Sequence, residues 1–131
     1  MGKVIETIAL NRGHEISLKV DKYSIDYDLS SVDVAINFST PKSAVENISK
    51  ALESNVPVIS GTTGWLSELE TIETLCNKKE GAFIYASNFS LGVNIFFELN
   101  KVLAKMMNNI TDYNVVLEET HHTQKIDVPS G

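Results

Sequence analysis

Helix-like and strand-like apolar periods alternate from the first residues to Ala86, and this alternation restricts the fold more than any other feature. Val4, Ile5, Ile8 and Ala9 share one helical face, which ends at the Asn11-Arg12-Gly13 stop. Ile16, Leu18 and Val20 then alternate with polar residues, the period-two pattern of a strand. Residues 21–31 are too polar for a long helix and read as an irregular crossover. Residues 32–38 form a second, mostly apolar strand of the kind buried on both faces. Thr40-Pro41 opens a helix, with a hydroxyl at the N-cap and proline where no donor is missed; Ala44, Val45, Ile48, Ala51 and Leu52 make its apolar stripe. Residues 56–60 are a third strand, followed by the turn Gly61-Thr62-Thr63-Gly64. Ser67 and Glu70 have the spacing of a capping box for a helix that turns Leu69, Ile72, Leu75 and Cys76 inward. Residues 82–86 are a fourth strand.

Strands alternating with helices at this spacing predict a parallel sheet with right-handed crossovers. Ligands of such sheets bind beyond the carboxyl ends of the strands. That rule selects Asp21, residues 38–40, residues 61–64 and residues 87–90, each small or polar as a cofactor crevice requires. After Ser90 the character changes. Ile95, Phe96, Leu99, Val102, Leu103, Met106 and Met107 predict a long helix with a heavily apolar face, read as a core or interdomain helix. Residues 113–117 read as a further strand leading into the polar segment 118–131.

Charge and cysteine usage narrow the function classes. A net charge of −6 argues against a nucleic-acid partner, which needs a basic stripe to neutralise phosphates. The single cysteine, Cys76, cannot pair within the chain and fits a reducing compartment; its place on a helix stripe predicts packing rather than redox chemistry. No apolar run approaches the ~20 residues that span a bilayer, and Glu6 with no basic leader speaks against a signal peptide, so a cytoplasmic protein without a membrane partner is expected.

The densest chemical cluster is His121, His122, Lys125 and the Pro129-Ser130-Gly131 stop. Histidine is the usual proton donor near neutral pH, lysine offers a compact positive charge to a carboxylate, and Ser-Gly suits the approach to an anion-binding helix N-terminus. Acid, cation and anion nest within one short segment are what a small anionic substrate needs. The bland reading is a solvated strand end. Zinc held by Glu118, His121 and His122 lacks any cysteine pair or H-E-x-x-H spacing, so no metal is expected. A Ser-His-Asp hydrolase lacks the G-x-S-x-G elbow.

Residues 121–131, His-His-Thr-Gln-Lys-Ile-Asp-Val-Pro-Ser-Gly, resemble the signature loop of the dihydrodipicolinate reductases, H-H-x-x-K-x-D-x-P-S-G-T. Gly61-Thr62-Thr63-Gly64, the segment 87–94 (Ser-Asn-Phe-Ser-Leu-Gly-Val-Asn) and the strand 34–41 ending in Phe38-Ser39-Thr40-Pro41 resemble three more segments of that family, in order. The resemblance implies an α/β fold: a Rossmann-like dinucleotide-binding domain over residues 1–90, then the start of an α+β substrate-binding and tetramerisation domain over 91–131. It implies NADPH or NADH as cofactor, a small dicarboxylate as substrate and a homotetramer in the complete protein. The reaction would be hydride transfer to 4-hydroxy-tetrahydrodipicolinate (dihydrodipicolinate), giving tetrahydrodipicolinate for diaminopimelate and lysine synthesis. His121 would be the general acid, and Lys125 would hold a substrate carboxylate and steady developing charge, assisted by His122, Ser130 and Gly131. Phe38, Gly61, Thr62, Thr63, Ser87, Asn88 and Phe89 would line the cofactor. Asp21 closes the first strand, where a Rossmann acid binds the adenosine ribose, and Lys22 beside it would attract a 2′-phosphate; the same pair also suits a plain surface turn.

The sequence departs from the family pattern at both ends. Met1-Gly2 resembles only the tail of the family's glycine-rich phosphate loop, so the first strand and most of that loop are expected to be missing. That strand is central in a Rossmann sheet, and without it two strands lose ladder partners. Gly131 stands just before the expected threonine. The 131-residue chain is therefore expected to be a fragment, inactive on its own. Two rivals to the reductase are another Rossmann dehydrogenase, such as an aspartate or homoserine dehydrogenase, and a non-catalytic nucleotide-binding or assembly module.

Overall fold

The computed structural model describes residues 1–121 and residue 123. Its elements follow the order α1 (Gly2–Asn11), β1 (Ala35–Asn37), α2 (Pro41–Glu53), β2 (Val58–Ser60), a 3-10 turn (Leu66–Glu68), α3 (Leu69–Lys78), β3 (Phe83–Tyr85) and α4 (Leu91–Met107). The strands form one parallel sheet in the order β1-β2-β3, with Ala35 opposite Val58 and Val58 opposite Phe83. The expected α/β parallel architecture is thus present. The chain divides into a first unit, Met1–Ala86, and a second that begins at Ser87.

The core of the first unit lies on one side of its sheet. Side chains alternate across a strand, so Ala35, Val58 and Phe83 share the face against which α2 packs. Ala44, Ile48, Ala51 and Leu52 of α2 and Ile72 of α3 are all buried there, while Val45, Leu69, Leu75 and Cys76 pack around them. These are the two stripes expected from the helical spacing. Cys76 accordingly serves as packing. Leu29, Val56 and Trp65 complete the core from outside the regular elements. The irregular crossover is pinned to α2 at two points: the Tyr27 hydroxyl donates to Asn47 Oδ1 at 3.4 Å, and Lys50 Nζ lies 3.5 Å from the Tyr27 ring centre. Burial, with Glu46 adding to it, pushes the Tyr27 phenol above its ordinary range, and hydrogen bonds from Ser30 hold the Asp28 carboxyl below its own.

Four expectations are corrected. Residues 16–20 enter no ladder, and Leu18 and Val20 are exposed. Alternation encodes a half-buried strand, but a strand exists only with a partner to hydrogen-bond. In a doubly wound sheet that partner is the central strand, which no described residue supplies, and β1 is left as an edge. Residues 113–117 likewise pair with nothing described, with Val115 and Val116 almost fully exposed. Helix α4 forms over the expected stretch but is no core helix among the described residues: none of its side chains is buried, and Ile95, Phe96, Leu99 and Val102 are exposed along it. The capping box at Ser67 and Glu70 does not form. The turn of 3-10 helix takes up Ser67, so α3 starts at Leu69 with Glu68 in the N-cap position and no side-chain cap.

Helix α2 starts as expected, with Thr40 and Ser43 capping each other's backbone and Pro41 in the first turn. Both α2 and α3 end with the chain folding back, Val56 N–H to Ala51 C=O and Gly81 N–H to Cys76 C=O. The left-handed positions of these stops are Asn55 and Glu80, with φ of 58° and 49°. Asparagine tolerates that conformation; a glutamate side chain crowds its own carbonyl. Glu80→Gly is therefore expected to stabilise the protein by about 0.5–1 kcal/mol in urea unfolding. A lower midpoint in the variant would contradict the assignment of strain to Glu80.

Candidate functional site

The carboxyl ends of β1 and β2 run into two loops that the backbone binds together. Gly61 N–H donates to the Asn37 carbonyl at 3.0 Å, continuing the ladder one residue past the strands. Beneath this link Asn37 Nδ2 donates to Ser60 Oγ at 3.1 Å, both side chains buried, so two polar groups inside the core satisfy each other. Above it Ser39 N–H donates to Thr62 Oγ1 at 2.8 Å. Thr62 is only 5% exposed, and its carbonyl accepts from the Trp65 indole at 2.6 Å.

Two glycines in the turn are required by space and by backbone. A Cβ on Gly61 would collide with the ring of Phe38, which lies across its Cα. Gly64 has φ +78°, and a Cβ there would press on Pro41 Cγ at 3.2 Å. The turn therefore seats directly against the start of α2. Trp65 anchors it from below, stacking edge-on with Tyr85 at 5.4 Å and Phe83 at 6.0 Å between ring centres. Burial beside the indole pushes the Tyr85 phenol above its ordinary range.

The other sequence-selected positions are described separately. Asp21 closes a tight turn: its carboxylate accepts from Tyr23 N–H at 2.8 Å and from the Ser24 hydroxyl at 3.2 Å. Lys22 reaches over the Tyr23 ring at 4.8 Å. In the second unit Asn88 Oδ1 accepts from Ser90 N–H at 2.8 Å, and Asn94 Nδ2 donates to the carbonyls of Asn88 and Ser90. Ser90 caps α4 through Val93 N–H, which fixes the segment 87–90 onto that helix start. Ser87 and Phe89 are exposed beside it. His121 Nε2 is 3.3 Å from Glu119 Oε2. His122, Lys125, Ser130 and Gly131 lie outside the described residues.

The structure thus joins Phe38, Gly61 and Thr62 in one cluster. Sequence reasoning passed over two residues that build it, Trp65 and Asn37, and selected Ser39 only as part of the 38–40 strand end. Trp65 is the chain's only tryptophan and follows the turn directly, a signal of an anchored loop. Asn37 is a polar residue in an apolar strand and so needed a buried partner. Ser39 contributes only its backbone N–H, for which the sequence carries no signal. Among the described residues no three His, Cys, Asp or Glu side chains gather to hold a metal ion, and no helix is long and apolar enough to cross a membrane.

A parallel sheet with helical crossovers and tight, glycine-bearing turns at its strand ends defines an α/β protein of the Rossmann-like kind. The family model described as dihydrodipicolinate reductase, N-terminus, matches residues 1–89, and the one described as its C-terminus matches residues 92–131. The chain belongs to the dihydrodipicolinate reductase family. It is 53% identical over 133 residues to the 4-hydroxy-tetrahydrodipicolinate reductase of Christiangramia forsetii, an alignment covering 100% of this chain and 56% of that protein. The proteins of the same name from two strains of Neisseria gonorrhoeae are each 32% identical over 129 residues, covering 96% of this chain and 47% of theirs. The chain spans about half the length of the curated relatives it matches.

Proposed function

We propose that the protein carrying these residues reduces 4-hydroxy-tetrahydrodipicolinate, whose hydroxyl leaves as water, to tetrahydrodipicolinate with a hydride from NADPH or NADH, in diaminopimelate and lysine synthesis. The observation that supports this most is the family match on both sides of residue 90, which takes in the cofactor turns and the His121 segment together. In this reading residues 1–90 form the dinucleotide-binding domain and residues 91–131 begin the domain that binds substrate and builds a homotetramer. The compartment is the cytoplasm.

The strand-end loops suit a nicotinamide nucleotide. The Phe38 ring rests on the bare Cα of Gly61, which holds ring and turn together at the strand ends, where nucleotides of such sheets bind. A bound reduced nicotinamide supplies the hydride; the protein's own residues supply position and a proton. Phe38, Gly61, Thr62 and Thr63 form the nicotinamide side, with Ser87, Asn88 and Phe89 assisting. Asp21 takes the adenosine ribose, and Lys22 draws a 2′-phosphate. Lys125 holds a substrate carboxylate, with His122 and the Ser130-Gly131 backbone beside it, and His121 delivers the proton that accompanies hydride arrival.

A substrate panel tests the reading. The protein as its gene encodes it is expected to oxidise NADPH or NADH with freshly made cyclic substrate, and to ignore aspartate semialdehyde and homoserine. Turnover of either of those instead would mean another dehydrogenase. Cofactor binding with no turnover of any of them would mean a binding module.

A further inference from the structure

Thr62 stands apart from its neighbours in the turn. Gly61 meets Phe38 through its bare Cα, and Thr63 is half-buried, whereas Thr62 is almost wholly enclosed. Its two polar oxygens both face the scaffold: Oγ1 accepts the Ser39 N–H and the carbonyl accepts the Trp65 indole N–H. With 5% of its surface exposed it has little to offer a ligand directly. The Ser39 N–H it holds belongs to the residue between Phe38 and the α2 cap Thr40. Phe38 is therefore tied to the 61–64 turn at two points, the Asn37 carbonyl on one side and the Ser39 N–H on the other. Two bonds flanking one residue fix its backbone, and here they fix the ring that covers Gly61. The deeper Asn37–Ser60 pair ties the strands themselves, on the core side, and does not reach Phe38 or the turn.

We infer that Thr62 is a positioning residue: its hydroxyl, through the Ser39 backbone, sets Phe38 against Gly61 and so shapes the surface that receives the nicotinamide nucleotide. The inference rests on the cofactor reading proposed above. Valine matches threonine in shape but cannot accept the Ser39 N–H, whereas serine can.

The test is calorimetric titration of the gene-encoded protein with NADPH and with NADH. Thr62→Val is expected to weaken binding about tenfold, the scale of one hydrogen bond lost with its donor left unpaired, while Thr62→Ser stays within about twofold of wild type. Phe38→Ala with Thr62→Val is expected to bind no more weakly than Phe38→Ala alone, because both act on the same ring. Additive losses would mean that Thr62 touches the cofactor itself, and equal losses in the serine and valine variants would mean that the hydroxyl is irrelevant; either overturns the inference while leaving the cofactor reading intact. Failure of wild type to bind either nucleotide overturns both. Amide exchange in wild type needs no variant: Ser39 N–H is expected to be protected, and free exchange there would overturn the inference by itself.

Discussion

Replacement of Trp65 by alanine is expected to cost about 3–5 kcal/mol in urea unfolding, the usual range for deleting a buried large aromatic side chain. A domain of ordinary stability holds only about 5–15 kcal/mol in total, so the variant should unfold at far lower denaturant. The magnitude follows from three roles held by one side chain. Trp65 is 2% exposed within the core, stacks edge-on against Phe83 and Tyr85, and donates its indole N–H to the Thr62 carbonyl. Alanine leaves a cavity beside the Phe83 and Tyr85 rings and an unpaired carbonyl at Thr62. Trp65→Phe keeps part of the ring packing and loses the hydrogen bond, so it should fall between the two. Because the indole anchors the 61–64 turn, both variants should also bind NADPH more weakly than their residual folded fraction explains. A Trp65→Ala midpoint within experimental error of wild type would show that the core does not rest on this residue.

His121→Ala is expected to depress turnover of the reductase by about 10²- to 10⁴-fold, the range for removing a positioned general acid. Cofactor affinity should change little, since the imidazole is assigned to the substrate's proton and not to the nucleotide. His121 Nε2 lies 3.3 Å from Glu119 Oε2, so a carboxylate is available to orient the ring. Lys125→Ala should act differently, raising the substrate KM by removing the cation proposed to meet a carboxylate. Equal losses of turnover and cofactor affinity in His121→Ala would count against the general-acid role.

The fold was legible where apolar spacing and packing agree. The stripes Ala44–Leu52 and Leu69–Cys76 are read from helical period alone, and both join one core because α2 packs on the sheet and α3 packs on α2. Residues 16–20 and 113–117 have strand-like spacing and form no strand, since spacing specifies which side chains share a face and says nothing about whether a partner is present to bond. Ser67 illustrates a local failure: a serine three residues before a glutamate suits a cap, but the chain spends that stretch on a turn of 3-10 helix. In the site, Phe38 and the 61–64 turn were selected by the strand-end rule, and the structure locks them together. The contacts that lock them were not legible. Ser39 works through a backbone N–H and Asn37 through a buried side-chain pair, and neither has a pattern with a period.

The most direct test of the reductase assignment follows the hydride itself. The gene-encoded protein is incubated with NADPH deuterated at the transferring position of the nicotinamide and with freshly generated 4-hydroxy-tetrahydrodipicolinate, and the product is examined by mass spectrometry. The expected product is tetrahydrodipicolinate carrying the deuterium, formed in step with loss of NADPH. Product without deuterium, or NADPH left intact beside unchanged substrate, would contradict it.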